Sequence, residues 1–386
     1  MQLSRRTLIK AALCSTLPVS LLSNISFAST PGTKRIVVIM LRGAMDGLHL
    51  LQPYGDKAFR KLRPKLTLSP DHNDLVVLDD FYGLYSPPKA RDLNSLWQAG
   101  ELSFIQSVST PYRDGRSHFD GQDILETGGR HTGELREGWL TRMIHAIPGA
   151  SLNDMMTLSQ GSMLLGHGNP SIPNWWPGSI LDGSTISIAQ LQDLYKNDSA
   201  FRKAAKDIGG YKNFGTERIT DEKNISTILA RTASTVLKNE ASIAAFSIGG
   251  WDTHLNQIKS MYWPVKALGK ALFELKSGLG KHWTDTAVIC LTEFGRSVHE
   301  NGVGGTDHGT GGLAILSGGA IAGQNVYGMW PGLEEGSLLN QRDLMPTEDI
   351  RAYIGLLFHQ MMGADISTIE NMVFPGLSIG LKDNLI

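Results

Sequence analysis

Apolar and β-branched residues recur along the chain in short runs of the length expected for buried strands. Five runs stand out: "RIVVIM" at 35–40, "ELSFIQSV" at 101–108, "ASIAAFSI" at 241–248, "TAVICLT" at 286–292 and "LAILSG" at 313–318. Between most of them, apolar residues at helical spacing predict helices over 92–100, 223–240, 262–280 and 345–363. Alternating strands and helices indicate an α/β fold with a doubly wound, mostly parallel sheet and helices on both faces.

Acidic and histidine side chains lie where the predicted strands end. The candidates are Asp46 after the first run, Asp252 and His254 after the third, Glu293 after the fourth, and the pair Asp307–His308 just before the fifth. Ligands of open α/β sheets bind at the carboxyl ends of strands, and Asp, Glu and His gathered there suit a divalent metal. Taken singly, each has an ordinary alternative, such as a turn former, a helix cap or an ion pair between Glu293 and Arg296.

Glycine is concentrated around one of these candidates. Six of the 11 residues from Gly302 to Gly312 are glycine, and they surround Asp307 and His308. Glycine allows close approach of the backbone and leaves N–H groups open to an anion. The segment is therefore expected to bring Asp307 and His308 close to the strand ends.

Ser117 is the candidate nucleophile, in the segment "YRDGRSHFDGQDILETGG" at 112–129. Ser117 and Asp120 have the spacing of a capping box, so the serine is equally well explained as a helix cap. A helix start also attracts anions, and Arg113 and Arg116 flank the serine. The serine does not lie in a G-x-S-x-G elbow, which disfavours an α/β-hydrolase triad.

The first 28 residues have the pattern of an export signal. "SRRTLIK" is followed by an uncharged apolar stretch that ends near Ala28, and the pair Arg5–Arg6 suggests the twin-arginine export machinery as a partner. Cleavage would leave 29–386 as a single exported, periplasmic domain without a stable membrane span. The alternative is an N-terminal membrane anchor, which Pro18 and the polar positions of the stretch disfavour.

Composition excludes several classes of protein. Removing three positive charges with the signal changes the formal charge from −1 to −4, which argues against a nucleic-acid partner. Cys290 would be the only cysteine left, so no disulfide can form within one chain, and its apolar run predicts a buried, inert thiol. Gly-, Pro- and Trp-rich sequence within 150–215 is interpreted as an inserted cap over the strand ends.

These motifs in combination resemble a family of twin-arginine-exported bacterial proteins, domain of unknown function 1501. The motifs concerned are "MLRGAMDGL", "YRDGRSHFDGQDILETG", "GGWDTH", "LTEFGRS", "GGTDHGTGG", "VYGMWPGL" and "DLMPTEDIRAYIGLL". That family in turn resembles the alkaline phosphatase superfamily, with its sulfatases and cofactor-independent phosphoglycerate mutases. The second resemblance implies a doubly wound sheet with metals at the strand ends.

The superfamily resemblance also implies roles for individual residues. Asp46, Asp252, His254 and His308 match metal ligands, Ser117 matches the serine that becomes phosphorylated, and Glu293 falls where an Asp–His pair is expected. The chain departs from the pattern there, because Phe294 stands in place of the histidine. Either Asp307 and His308 replace it, or the site holds one metal, or the site has lost metal and catalysis.

The sequence thus predicts an exported hydrolase-like protein that uses one or two divalent ions, Zn, Mn, Mg or Ca. Its expected substrate is a small-molecule or glycan ester of phosphate or sulfate. Arg113, Arg116 and Arg296 are the candidates for neutralising the anion. The alternative is a non-catalytic periplasmic protein that uses the same scaffold to bind a partner or a polysaccharide.

Overall fold

The computed structural model describes residues 33–113, 115–176, 224–380 and 383–386. The predicted signal peptide, 1–28, lies outside these ranges. Within them, no helix combines the length and the apolar character that a bilayer crossing requires.

Fourteen strands are assigned within the described ranges. They are β1 Arg35–Leu41, β2 Leu51–Gln52, β3 Leu75–Val77, β4 Gly83–Tyr85, β5 Leu102–Ser109, β6 Met155–Leu158, β7 Asn174–Trp175, β8 Ile243–Ile248, β9 Thr286–Leu291, β10 Arg296–Glu300, β11 Thr306–His308, β12 Gly312–Ser317, β13 Val326–Tyr327 and β14 Glu348–Asp349. The five strands predicted from the apolar runs are β1, β5, β8, β9 and β12, each within two residues of its predicted bounds.

Ten α-helices are assigned in the same ranges. They are α1 Gly47–Leu50, α2 Phe59–Leu62, α3 Asp92–Gln98, α4 His118–Thr127, α5 Trp139–Met143, α6 Ile225–Asn239, α7 Gln257–Ser260, α8 Tyr262–Leu279, α9 Ile350–Met362 and α10 Ile366–Thr368. The four helices predicted from periodicity correspond to α3, α6, α8 and α9.

The central sheet has nine strands, in the order β13-β5-β12-β9-β1-β8-β6-β7 with β14 also paired to β5. Every strand pair is parallel except those of β12, which runs antiparallel to both β9 and β5. The predicted mostly parallel sheet is confirmed. Because β12 is reversed, the segment that precedes it lies at the same sheet edge as the carboxyl ends of β1, β8 and β9.

Helices cover both faces of the sheet, as predicted for a doubly wound fold. Alternate residues of β1 divide between two cores: Val37 and Ile39 pack with α3, α6 and α8, whereas Ile36 and Val38 pack with α5 and α9. A strand covered on both faces has no solvent-facing side, which explains its continuous apolar run. Cys290, in β9, is fully buried, as predicted, and burial raises the pKa of its thiol.

One predicted boundary is wrong. The last long helix, α9, begins at Ile350 rather than at 345: the Asp349 side chain caps it by accepting a hydrogen bond from the Arg351 backbone N–H, while the Thr347 N–H bonds the carbonyl of Ser107. Within the predicted cap of 150–215, β6 and β7 pair in parallel with each other, and β6 pairs in parallel with β8 of the central sheet. These strands are too short to show a strand pattern. Residues 177–215 of the predicted cap lie outside the described ranges.

Candidate metal centre

Three side chains from distant parts of the chain converge at the carboxyl edge of the sheet. Ligand atoms of His118, Asp252 and His308 lie within 4.8 Å of one another. His118 begins α4, Asp252 follows β8, and His308 ends β11. Asp252 Oδ1 is 3.2 Å from His308 Nε2, and Asp252 Oδ2 is 3.5 Å from His118 Nε2. The structure therefore joins two of the predicted ligands with a third, His118, that was not predicted.

His254 adds a fourth donor beside these three. Its Nε2 lies 2.9 Å from Asp252 Oδ1 and 3.0 Å from His308 Nε2. Its Nδ1 is 3.9 Å from a carboxylate oxygen of Asp307, which is mostly exposed. Asp307 therefore lies behind His254 rather than among the converging atoms. We call His118, Asp252, His254 and His308 the metal cluster.

Glu293 fixes the orientation of His118. Its carboxylate lies 2.8 Å from His118 Nδ1 and is almost fully buried. Because a carboxylate only accepts hydrogen bonds, Nδ1 carries a proton, and Nε2 on the opposite side of the ring faces the cluster. That Nε2 is buried and forms no hydrogen bond. A histidine held by a carboxylate behind it is the usual arrangement of a metal ligand.

Glu293 and His118 also shift each other's pKa. The hydrogen bond that His118 donates to Glu293, together with the charge of that carboxylate, raises the pKa of His118 despite partial burial. Burial would raise the pKa of Glu293, but hydrogen bonds from His118, from the Gly43 backbone N–H and from Gln122 outweigh it and lower that pKa. The Glu293 carboxylate is therefore ionised and available to orient the ring.

His308 is oriented in a similar way by the backbone. Its Nδ1 lies 3.0 Å from the carbonyl oxygen of Arg116, which can only accept a hydrogen bond. Nδ1 therefore carries the proton, and the Nε2 lone pair faces Asp252 and His254. Burial lowers the pKa of His308, which favours the neutral form that ligates metal.

Arg296 holds Asp252 in place. Its Nη2 donates to Asp252 Oδ1 at 2.6 Å, its Nη1 lies 3.5 Å from His254 Nε2, and its remaining bonds go to backbone carbonyls, including those of Gly43 and Ala44. Burial would raise the pKa of Asp252, but the Arg296 bond and charge lower it. Arg296 is buried, so it acts as a support for the cluster rather than as a group that reaches a substrate.

Asp46 lies outside the cluster, in a buried ion pair. Its carboxylate accepts two bonds from Arg63 Nη1, at 2.8 and 3.0 Å, and one each from Gln257 and Thr306. It also caps α1 through the backbone N–H of His49. Through these hydrogen bonds, the Asp46 carboxylate holds α1 and α2 against the strands.

Ser117 is the N-cap of α4, directly before His118. Its hydroxyl accepts a long hydrogen bond, 3.4 Å, from the backbone N–H of Asp120. Arg116 is largely exposed, and its Nη2 is 3.9 Å from Asp343. Arg113 donates to the carbonyls of Thr110 and Tyr112. The cap is observed, and the hydroxyl adjoins a cluster residue.

Phe294, which departs from the superfamily pattern, packs against the cluster. Its ring stacks on His118 at 5.3 Å between centroids and lies 5.2 Å from His308. Phe294 therefore packs against the rings of His118 and His308, although its own side chain cannot bind a metal. The signal that would have revealed His118 is its position as the first residue of the helix that Ser117 caps.

Glycine allows the cluster segments to touch. A Cβ on Gly305 would lie 2.2 Å from the carbonyl oxygen of His254, and one on Gly43 would lie 2.6 Å from the backbone nitrogen of Asp252. Gly43 also has φ +117°, which side chains rarely adopt. The strand that carries His308 thus packs directly on the loop that carries Asp252 and His254.

Several solved structures are similar to the chain at low identity. They include a protein in the alkaline phosphatase superfamily from Vibrio parahaemolyticus (10% identity, TM-score 0.41, covering 91% of this chain and 72% of that chain). Others are the C-terminal periplasmic domain of EcEptC from Escherichia coli in complex with Zn (9%, 0.37, 92% and 92%) and the PsFucS1 sulfatase from Pseudoalteromonas sp. (10%, 0.35, 77% and 65%). No curated protein matches the sequence.

A family model matches the part of the chain that carries Asp252, His254, Glu293 and His308. The model is described as protein of unknown function (DUF1501), and it matches residues 189–361. The family resemblance predicted from the motifs is confirmed over that part of the chain.

Proposed function

We propose that the protein is an exported, metal-dependent hydrolase of phosphate or sulfate esters. One observation carries the proposal: the buried Nε2 of His118 forms no hydrogen bond and faces the Asp252 carboxylate at 3.5 Å, where His308 also presents a ligand atom. Buried polar atoms normally have a hydrogen-bond partner, so an oriented imidazole nitrogen without one indicates a missing ligand.

The donor set fits Zn better than Mn, Mg or Ca. Imidazole nitrogens with one carboxylate suit Zn, whereas Mn, Mg and Ca favour oxygen ligands. The Nε2 atoms of His254 and His308 also support this fit, because they lie only 3.0 Å apart. Two protonated nitrogens would repel each other at this distance, so at least one of them is unprotonated, which is the form that binds a metal. The four residues are sufficient to hold one ion.

A bound divalent ion would polarise the ester. The protein would supply the nucleophile and the positive charge that the reaction needs. Ser117 presents its hydroxyl at the start of α4, where the positive end of the helix dipole favours an anionic group. Arg116 has an exposed guanidinium next to this serine. Ser117 is thus the candidate nucleophile and Arg116 the candidate partner of the anion, while Arg296 keeps Asp252 in place.

Metal content tests the proposal directly. Purified protein should contain close to one equivalent of a divalent metal by elemental analysis, and chelation should lower its melting temperature. His118→Ala and Asp252→Asn should each lose most of the metal, whereas the exposed His145→Ala should retain it. The metal centre would be contradicted if the purified protein contained no metal and its melting temperature changed with neither chelator nor added metal.

Turnover distinguishes the hydrolase from a binding protein on the same scaffold. Wild-type protein is assayed with aryl phosphates, phosphodiesters and aryl sulfates at neutral and alkaline pH, before and after chelation. The proposal expects hydrolysis of at least one class, lost with the metal and restored by adding it. Metal binding without any hydrolysis would favour the non-catalytic alternative.

A further inference from the structure

We propose that a groove beside the metal cluster binds the sugar part of a glycan substrate, with Phe119 as the surface on which a sugar ring stacks. The proposal rests on the proposed function for the ester chemistry, and it adds the substrate class. We call the groove the α4 groove. Its lining includes Phe119, Gln122, Asp123 and Glu126 on one side and residues between Ser159 and Leu164 on the other.

The α4 groove lies at the ligand-binding edge of the sheet. Arg42, which directly follows β1, and Ser247, near the end of β8, line it. The segment 159–164 follows β6, so the groove lies at the carboxyl ends of three neighbouring parallel strands. Ligands of open α/β sheets bind at this edge. Its volume of about 470 Å³ is within the range of small-ligand sites.

A chain of hydrogen bonds joins the α4 groove to the metal cluster. Arg42 donates to Gln122 at 2.6 Å, and Gln122 donates to Glu293 at 3.3 Å. Glu293 in turn holds His118. Phe119 directly follows His118 in the chain. A ligand in the groove would therefore lie against the helix that carries both the candidate nucleophile and a metal ligand.

The chemistry of the groove is that of a sugar site. Phe119 is 88% exposed, the highest exposure of any large apolar side chain described. It shares one helix face with Gln122, Asp123 and Glu126, at intervals of three, four and seven residues. A pyranose has an apolar C–H face for an aromatic ring and hydroxyl groups for polar neighbours. One exposed ring in a groove whose other lining residues are mainly polar, with Met163 and Leu164 as the apolar exceptions, matches that pattern.

Hydrogen-bonding capacity remains for hydroxyl groups. Ser247 Oγ has no partner among the described residues, and only one Asp123 oxygen is bonded, by the Gly133 N–H. Glu126 is paired with Arg42 at 2.7 Å. The charge that remains is therefore the negative one on Asp123, which favours a neutral sugar in the groove over a second anionic group.

Oligosaccharide binding tests the proposal. Calorimetry is carried out with a panel of neutral oligosaccharides built from glucose, galactose, mannose and N-acetylglucosamine. At least one should bind to wild-type protein, Phe119→Ala should weaken it at least tenfold, and Phe119→Trp should retain it. Phe273→Ala, which removes an exposed phenylalanine from α8, should bind like wild type.

The same titrations separate this proposal from the metal proposal. They are repeated on chelated wild-type protein, where oligosaccharide affinity should persist even if the metal centre proves wrong. Melting curves of both alanine variants show whether they are folded. If no oligosaccharide of the panel binds, or if Phe119→Ala binds as tightly as wild type, the α4 groove is not a glycan site.

Discussion

At the scale of single residues, Glu293 would act on the proposed metal only through His118, which its carboxylate contacts at 2.8 Å. Removing its negative charge should loosen the ring and lower the basicity of Nε2. We expect Glu293→Gln to weaken metal affinity by about 10- to 100-fold, the effect typical of groups behind a metal ligand. Competition with a chromogenic chelator measures this affinity. Glu335→Gln, at an exposed site away from the cluster, is the control, and equal affinities for the two variants would contradict the orienting role.

The observed cap and the proposed nucleophile role of Ser117 differ in the size of their effects. Loss of a helix cap lowers the free energy of unfolding by about 0.5–2 kcal/mol, and the long 3.4 Å bond to Asp120 favours the lower end. Loss of a nucleophile should reduce turnover by several powers of ten. We therefore expect Ser117→Ala to be nearly as stable as wild type and almost inactive.

The matched control for this serine is another cap. Ser151 forms a capping box with Asp154, so Ser151→Ala should show a similar loss of stability and full turnover. Urea denaturation and ester hydrolysis are measured on both variants. If Ser117→Ala hydrolyses the substrate at the wild-type rate, the serine is only a cap.

At the scale of elements, the buried pair of Asp46 and Arg63 holds α1 and α2 against the β10 strand. Arg63 also donates to the carbonyls of Ser297 and Val298, and both side chains of the pair are fully buried. Breaking such a pair leaves an unpaired buried charge. We expect Asp46→Asn to lower the free energy of unfolding by about 3–5 kcal/mol.

Urea denaturation checks this value, with Glu134→Gln as the control. Glu134 forms an exposed pair with Arg130, which should contribute less than about 1 kcal/mol. Burial opposes ionisation of Asp46, but Arg63 outweighs it and lowers its pKa. The contribution is therefore complete above the unfolded pKa near 4 and is lost as pH falls through the folded value. Equal losses in both variants would contradict the account.

The elements differ in how far the sequence predicts them. Long buried strands and amphipathic helices were predicted because their apolar patterns are strong, as in β1 and α8. Strands β6 and β7 were missed because pairing with a neighbour, rather than their own pattern, makes them strands. The antiparallel direction of β12 is likewise set by tertiary packing. It nevertheless puts His308 at the predicted sheet edge.

The sequence predicted which segments of the chain meet at the sheet edge, but not what each side chain does there. Asp252, His254 and His308 converge as expected. Asp46, Glu293 and Arg296 lie close by, but each is held by partners that only the fold reveals. Glu293 could not be distinguished from a ligand in the sequence, because a carboxylate after a strand fits both roles. The structure places its carboxylate 2.8 Å from His118 Nδ1, on the side of the ring away from the cluster, which favours the orienting role that we propose.

At the scale of the whole molecule, the metal cluster exists only once the chain has folded. His118, Asp252 and His308 are separated by more than 50 residues at each step, and they meet only when the sheet is complete. If the protein is exported with a metal, as we propose, the ion would have to be bound before export. The twin-arginine route carries folded proteins, and the motif predicted at Arg5–Arg6 is the signal for that route.

Export should therefore depend on both arginines. Changing Arg5 and Arg6 together to Lys keeps the positive charge but removes the paired guanidinium groups that the route recognises. We expect the double variant to accumulate as precursor in the cytoplasm, with its metal and its fold intact. Lys10→Arg, a charge-preserving change in the same segment, should be exported like wild type. Cell fractionation and immunoblotting measure the distribution, and normal delivery in a strain that lacks the twin-arginine route would exclude this mode of export.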